Sequence, residues 1–236
     1  VTPPTIRSVG GEDSRLTAAL ADQVLRGRAE PGRDVDLQIA GATIASVTSD
    51  AEGVFRYAFT PAELRSIGQG PAEVVARLSD APAQLGASKP FPFSVSTLTA
   101  SRAQDVLIGT PGVDTYVFPS IYTASPGTGR QSFDVIADFE AGDRLDVRRF
   151  GEVVMGDRRS RRITDVSGTA ADLTTASINR ALGDGFRGFR IGAFQVDGVD
   201  GTFLAINNSV GRYGQGDGLV FLEGFTPSAS SPVALA

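Results

Sequence analysis

Polar and apolar residues alternate along the first part of this chain, and short turns break the alternation at regular intervals. Val35-Asp36-Leu37-Gln38-Ile39 has a period of two. So does the run from Val54 to Phe59, which puts Val54, Arg56 and Ala58 on one face and Phe55, Tyr57 and Phe59 on the other. Pro31-Gly32, Gly41-Ala42 and Asp50-Ala51-Glu52-Gly53 are turn signals separating these runs from Thr43–Thr48. Val74–Leu78 and Pro92–Val95 read as closing strands. Strands recurring roughly every 8–12 residues predict a β-sandwich over residues 1–97. One short helical turn interrupts it at Pro61-Ala62-Glu63-Leu64, with Thr60 as N-cap.

Residues 98–104 form a small polar bridge, after which the texture changes. A second domain is expected over 105–236, rich in β-structure with one short helix. Phe133–Val147 reads as strand, turn, strand, and an Arg-rich stretch follows to Arg162. The helix is placed at Ala171–Leu182, where Leu173, Ala176, Ala181 and Leu182 share a face and Gly183 ends it. Strands return at Phe203–Ile206 and Leu219–Leu222. The expected fold class is mainly β throughout.

Composition narrows the chemistry. The chain has no His and no Cys, which excludes Ser-His-Asp and Cys-His catalysis, His-based zinc sites and a disulfide framework. A formal charge of −5 argues against nucleic-acid binding. No stretch approaches the roughly 20 apolar residues of a membrane span. Val1-Thr2-Pro3-Pro4 reads as a linker entered midway through a longer polypeptide.

Candidate chemistry concentrates after the bridge. Gly109-Thr110-Pro111-Gly112-Val113-Asp114-Thr115-Tyr116-Val117 resembles one turn of the glycine-rich nonapeptide of repeats-in-toxin (RTX) proteins, with Thr110 where the second glycine belongs. The resemblance implies a β-roll, calcium between successive turns, and Tyr116 in the apolar slot. Asp134-Val135-Ile136-Ala137-Asp138-Phe139-Glu140-Ala141-Gly142-Asp143-Arg144-Leu145-Asp146-Val147 is similar to the segment that closes such rolls. Five carboxylates meet one Arg there, a crowding that calcium would relieve and that a solvated hairpin would disperse. Val135, Ala137 and Phe139 alternate with Asp134, Ile136 and Asp138, so some of the acids lie beside apolar surface. The metal candidates are therefore Asp105, Gly109, Gly112, Asp114, Asp134, Asp138, Asp143 and Asp146. Segments 171–179, 202–208 and 214–225 resemble an RTX-associated carboxy-terminal calcium-binding domain, and add Asn207, Asn208 and Asp217. Asn208 stands where that family tends to have Asp. Asp197-Gly198-Val199-Asp200-Gly201 reads as a hairpin turn.

The first domain, through Gly27–Gly32, Thr48–Phe55 and Leu64–Pro71, resembles a bacterial immunoglobulin-like repeat of large adhesins. Glu12-Asp13 and Asp80 are places where such repeats would hold calcium at domain junctions. The tail 225–236 is compatible with an uncleaved type I secretion signal, or with a frayed terminus. Together these resemblances imply a non-catalytic structural and secretion module of a secreted bacterial cell-surface adhesin or surface-layer-like protein, folding with calcium (Ca2+) after export. Its expected partners are the type I secretion machinery, neighbouring repeats and a cell-surface glycan. Two other functions stay open. One is a glycan- or receptor-binding module, for which Arg148, Arg149, Arg158, Arg159, Arg161 and Arg162 are an anion-gripping cluster. The other is a carboxylate-based glycan hydrolase using Glu140 with Asp146, or Glu223 with Asp217.

Overall fold

The computed structural model describes residues 2–11, 13–82, 86–101, 104–119, 133–147, 162–188, 190–207, 211–214 and 216–236. The protein is mainly β and divides into two compact units, Val1–Thr97 and Leu98–Ala236.

In the first unit the strands are β1 (Thr5–Val9), β2 (Arg15–Thr17), β3 (Val24–Arg28), β4 (Asp34–Ile39), β5 (Ala42–Thr48), β6 (Val54–Ala58), β7 (Gly70–Leu78) and β8 (Phe91–Ser96). They form a three-stranded sheet in the order β1-β3-β6 and a five-stranded sheet in the order β2-β8-β7-β4-β5. Period-two patterning decides which side chains face inward. Val35 and Leu37 of β4, Val74, Ala76 and Leu78 of β7, and Phe93 and Val95 of β8 are buried. In β6, Phe55 is buried and Arg56 exposed, as alternation requires. The Phe55 ring lies over β3, where a Cβ on Gly27 would come within 2.1 Å of it. Helix α1 (Pro61–Ile67) starts at a capping box, with Thr60 accepting from the Glu63 amide and Glu63 accepting from the Thr60 amide.

The second unit contains β9 (Val106–Leu107), β10 (Thr115–Val117), β11 (Asp134–Ile136), β12 (Arg144–Asp146), β13 (Arg162–Ile163), β14 (Thr169–Ala170), α2 (Thr175–Leu182), β15 (Arg190–Val196), β16 (Gly201–Asn207), β17 (Gly218–Glu223) and β18 (Val233–Leu235). A six-stranded sheet runs β14-β15-β16-β17-β11-β9, and a four-stranded sheet runs β10-β12-β18-β13. Strand β16 is buried at all seven positions, with Phe203 and Ala205 under α2 in one apolar cluster and Leu204 and Ile206 on the other face. Helix α2 is shorter than the expected Ala171–Leu182. Asp172 accepts from both the amide and the hydroxyl of Thr174, holding 172–174 in a turn, and Thr174 then caps the helix at Ser177. Gly183, at φ +78°, ends it. Residues Asp197–Asp200 form the turn between β15 and β16.

Two stretches read differently from their sequence. Residues 98–101, expected in the bridge, belong to the second unit, where Leu98 and Ala100 exchange backbone hydrogen bonds with Val117. The tail is not frayed, because β18 sits between β12 and β13 with Val233 fully buried. Among the described residues no helix is long and apolar enough to cross a membrane.

Candidate functional site: a ladder of buried aspartates

The parallel pairings of the second unit stack two similar stretches of chain. Val106 pairs with Val135 and Leu107 with Ile136, while Thr115, Tyr116 and Val117 pair with Arg144, Leu145 and Asp146. Residues 105–118 and 134–147 are thus successive rungs, offset by 29 positions. A third rung follows, since β17 lies parallel to β11 and β18 parallel to β12. Parallel strands cannot be joined by a tight hairpin, so each rung turns through a loop whose amides need acceptors.

Aspartates meet that need in register. Asp134 Oδ1 accepts from the backbone N–H of Asp105 at 3.0 Å. Asp138 accepts from the Gly109 N–H at 2.9 and 3.1 Å, and Asp143 Oδ1 from the Asp114 N–H at 2.9 Å. Every bond reaches back by the same 29 residues. Asp143 also accepts from the Glu140 N–H at 2.8 Å through its other oxygen. On the first rung the acceptors close locally. Asp105 takes the Ser101 amide at 2.6 Å and its hydroxyl at 3.0 Å, and Asp114 takes the Thr110 amide at 2.6 Å and its hydroxyl at 3.1 Å.

Asp105, Asp114, Asp134 and Asp143 are all buried. Burial pushes the Asp134 carboxyl up to about 7, partly offset by the Asp105 amide and reinforced by the Asp105 charge. Burial likewise raises Asp143, against the pull of the Asp114 and Glu140 amides. Among the described residues, Asp114, Asp134 and Asp143 have no ion-pair partner. Their charge is met by amide hydrogens instead.

The phenol of Tyr116 completes the arrangement. It donates to Asp138 at 2.9 Å, and its titration is pushed up by burial and by the charges of Asp138, Asp143 and Asp114. Gly109 makes room for this, because a Cβ there would lie 2.5 Å from both the Asp114 carboxylate and the Tyr116 hydroxyl. Gly112 has a different reason to be glycine, its φ of +128°. The Tyr116 ring lies tilted against Phe139 with centroids 5.9 Å apart, and Phe139 meets Phe225 edge-on at 4.8 Å.

No protein-family model matches the chain, and no curated protein is similar to it.

The expected metal residues therefore divide into several groups. Asp114, Asp138 and Asp143 come together around Tyr116, and Asp105 and Asp134 together at the start of the rungs. Asp146 lies apart in β12, and Glu140 is exposed. Asn207 donates to the Gly211 carbonyl at 2.9 Å and Asp217 accepts from the Gly214 amide at 2.7 Å. Asn208 lies outside the described residues, as do Arg148, Arg149, Arg158, Arg159 and Arg161. In the first unit Asp80 pairs with Arg33 at 2.5 Å and Asp13 with Arg15 at 3.6 Å, while Glu12 is outside the described residues. Glu223 is exposed at the end of β17, whereas Asp217 is buried against Gly214.

Calcium takes six to eight oxygen ligands at about 2.3–2.6 Å. Among the described residues no three acidic side chains are gathered as a metal site. The ladder carboxylates accept amide or phenol hydrogens. What the sequence reading missed was the internal repeat itself. Its signal is Asp-Val-Leu at 105–107 and Asp-Val-Ile at 134–136, each followed by Asp at 114 or 143.

Proposed function

We propose that this chain is a non-catalytic structural and export module of a large extracellular bacterial protein of adhesin or surface-layer type. In this reading the first unit is an immunoglobulin-like repeat and the second an RTX-type roll terminus passed out by type I secretion. The observation that carries it is the stack of three parallel rungs, whose polar residues go into holding the chain together. A scaffold spends its aspartates in this way, whereas a carboxylate-based hydrolase needs a facing acid and base at an open cleft.

The place of β18 supports the export half of the reading. Val233–Leu235 lies between two strands, so this part of a recognition signal in residues 225–236 is extended and unpaired only before the second unit folds. Export would then precede folding, and folding outside would draw on the amide–aspartate ladder. The test is secretion from cells carrying a type I transporter of broad RTX substrate range. The full chain is expected in the medium only when the transporter is present, and a chain ending at Gly224 is expected to stay inside. Retention of the full chain by cells with a working transporter would overturn the proposal.

A further inference from the structure

The three-stranded sheet β1-β3-β6 of the first unit carries charge of one sign. Its strands contain Arg7, Arg26, Arg28 and Arg56 and no acid, in a chain whose net charge is −5. Arg26 pairs directly with Arg56 on one side and with Ser8 on the other. The neighbouring row is Thr5, Arg28 and Val54. Residues paired across a sheet project to the same side, and Leu25, Gly27 and Phe55, which alternate with them, are buried on the other. Arg26, Arg28 and Arg56 therefore share the solvent face, where all three are exposed, and Arg7 is exposed at the bulge between Ile6 and Ser8.

Side chains directly opposite on paired strands have Cβ atoms about 5 Å apart, where like charges oppose folding. Among the described residues none of the four arginines has an ion-pair partner to offset this. Three acids close in the chain are engaged elsewhere. Glu30 pairs with Arg33, Asp22 accepts from the Thr17 hydroxyl, and Asp50 accepts from the amides of Glu52 and Val54. An anion laid on the face removes the repulsion, and guanidinium forks suit carboxylate and sulfate oxygens. Charges spread over two rows suit an extended polyanion better than a single ion. A single-stranded nucleic acid is held with aromatic side chains under its bases, and a membrane surface calls for large exposed apolar residues. Both rows lack them, their other members being Thr5, Ser8 and Val54. An acidic polysaccharide needs neither.

We propose that the Arg26–Arg56 face of the first unit binds an acidic polysaccharide through its sulfate or carboxylate groups, with Arg28 and Arg7 extending the contact. The site goes beyond the export reading and does not depend on it.

The test is a calorimetric titration of the full chain at low ionic strength with a heparin octasaccharide and with neutral maltooctaose. An oligodeoxythymidylate of equal length and phosphatidylglycerol vesicles are titrated beside them. The heparin fragment is expected to bind saturably and more tightly than either, and maltooctaose not at all. Arg26→Gln and Arg56→Gln each weaken heparin binding about fivefold. The triple variant that adds Arg28→Gln abolishes it, and melts no lower than the parent because the like charges are gone. Arg187→Gln, at an exposed position of the second unit, leaves the affinity unchanged. Tighter binding of the oligonucleotide or the vesicles overturns the saccharide assignment. Absence of saturable heparin binding overturns the proposal, as does binding that persists in the folded triple variant or falls equally with Arg187→Gln.

Discussion

The two units of this protein use the same side chain in opposite ways. Aspartates of the first unit face water and serve the surface. Asp34 takes the Thr48 hydroxyl, Asp36 the hydroxyls of Ser46 and Ser79, and Asp80 the Arg33 guanidinium. In the second unit Asp134, Asp138 and Asp143 instead take backbone amides from the rung before. The difference follows from topology. Apart from β2 with β8, the first unit's ladders are antiparallel, and tight turns can join their neighbours. The second unit's parallel rungs turn through longer loops, whose buried N–H groups would otherwise go unmet. Acid inside a domain is here a consequence of parallel stacking.

The contrast should be sharpest in pH dependence. Asp134 carries a folded-state pKa of about 7 against an ordinary value of 3.8. A carboxyl raised on folding favours the protonated folded state, so its stabilising contribution is complete below pH 3.8 and is lost as pH rises towards 7. Over the whole window the loss is roughly 4 kcal/mol. The second unit is expected to melt at a lower temperature at pH 8 than at pH 5. Asp134→Asn, which keeps an acceptor for the Asp105 amide, should flatten that dependence. Following both units by amide exchange separates them, and equal pH sensitivity in the two would break the comparison.

Next in size is loss of an acceptor. Asp143→Ala strips two amides, those of Asp114 and Glu140, and should destabilise the second unit by about 3 kcal/mol. Asp143→Asn should recover part of this, because one carbonyl oxygen remains for the Asp114 amide. Denaturant unfolding of the three proteins checks the order, and an alanine variant as stable as the parent would remove the ladder's energetic role.

The smallest effect belongs to the first unit. Thr60→Ala removes the hydroxyl half of the α1 capping box and should cost about 1 kcal/mol, leaving amide exchange in the second unit untouched. A response in the second unit would show that the two do not unfold separately.

How much of this was legible in the sequence also differs between the units. The alternation at Val54–Phe59 marked the strand and its two faces, and Thr60 marked the helix start, because each signal is local. In the second unit the acids beside Ile136 and Phe139 were visible as crowded, but their partners lie 29 residues away. Composition alone pairs crowded carboxylates with a cation as readily as with amides, and the amide partners become visible only in the register of β9 on β11 and β10 on β12. The place of β18 was hidden for the same reason. Val233-Ala234-Leu235 has no turn partner in the sequence and is ordered by strands from two distant segments.

The ladder is tested most directly by amide exchange at Asp105, Gly109 and Asp114, measured on the full chain in chelator and again with millimolar calcium. The account predicts that all three amides are protected in chelator and that calcium changes their exchange little. Rapid exchange in chelator, with protection gained only on adding calcium, would contradict it and return the carboxylates to the ion.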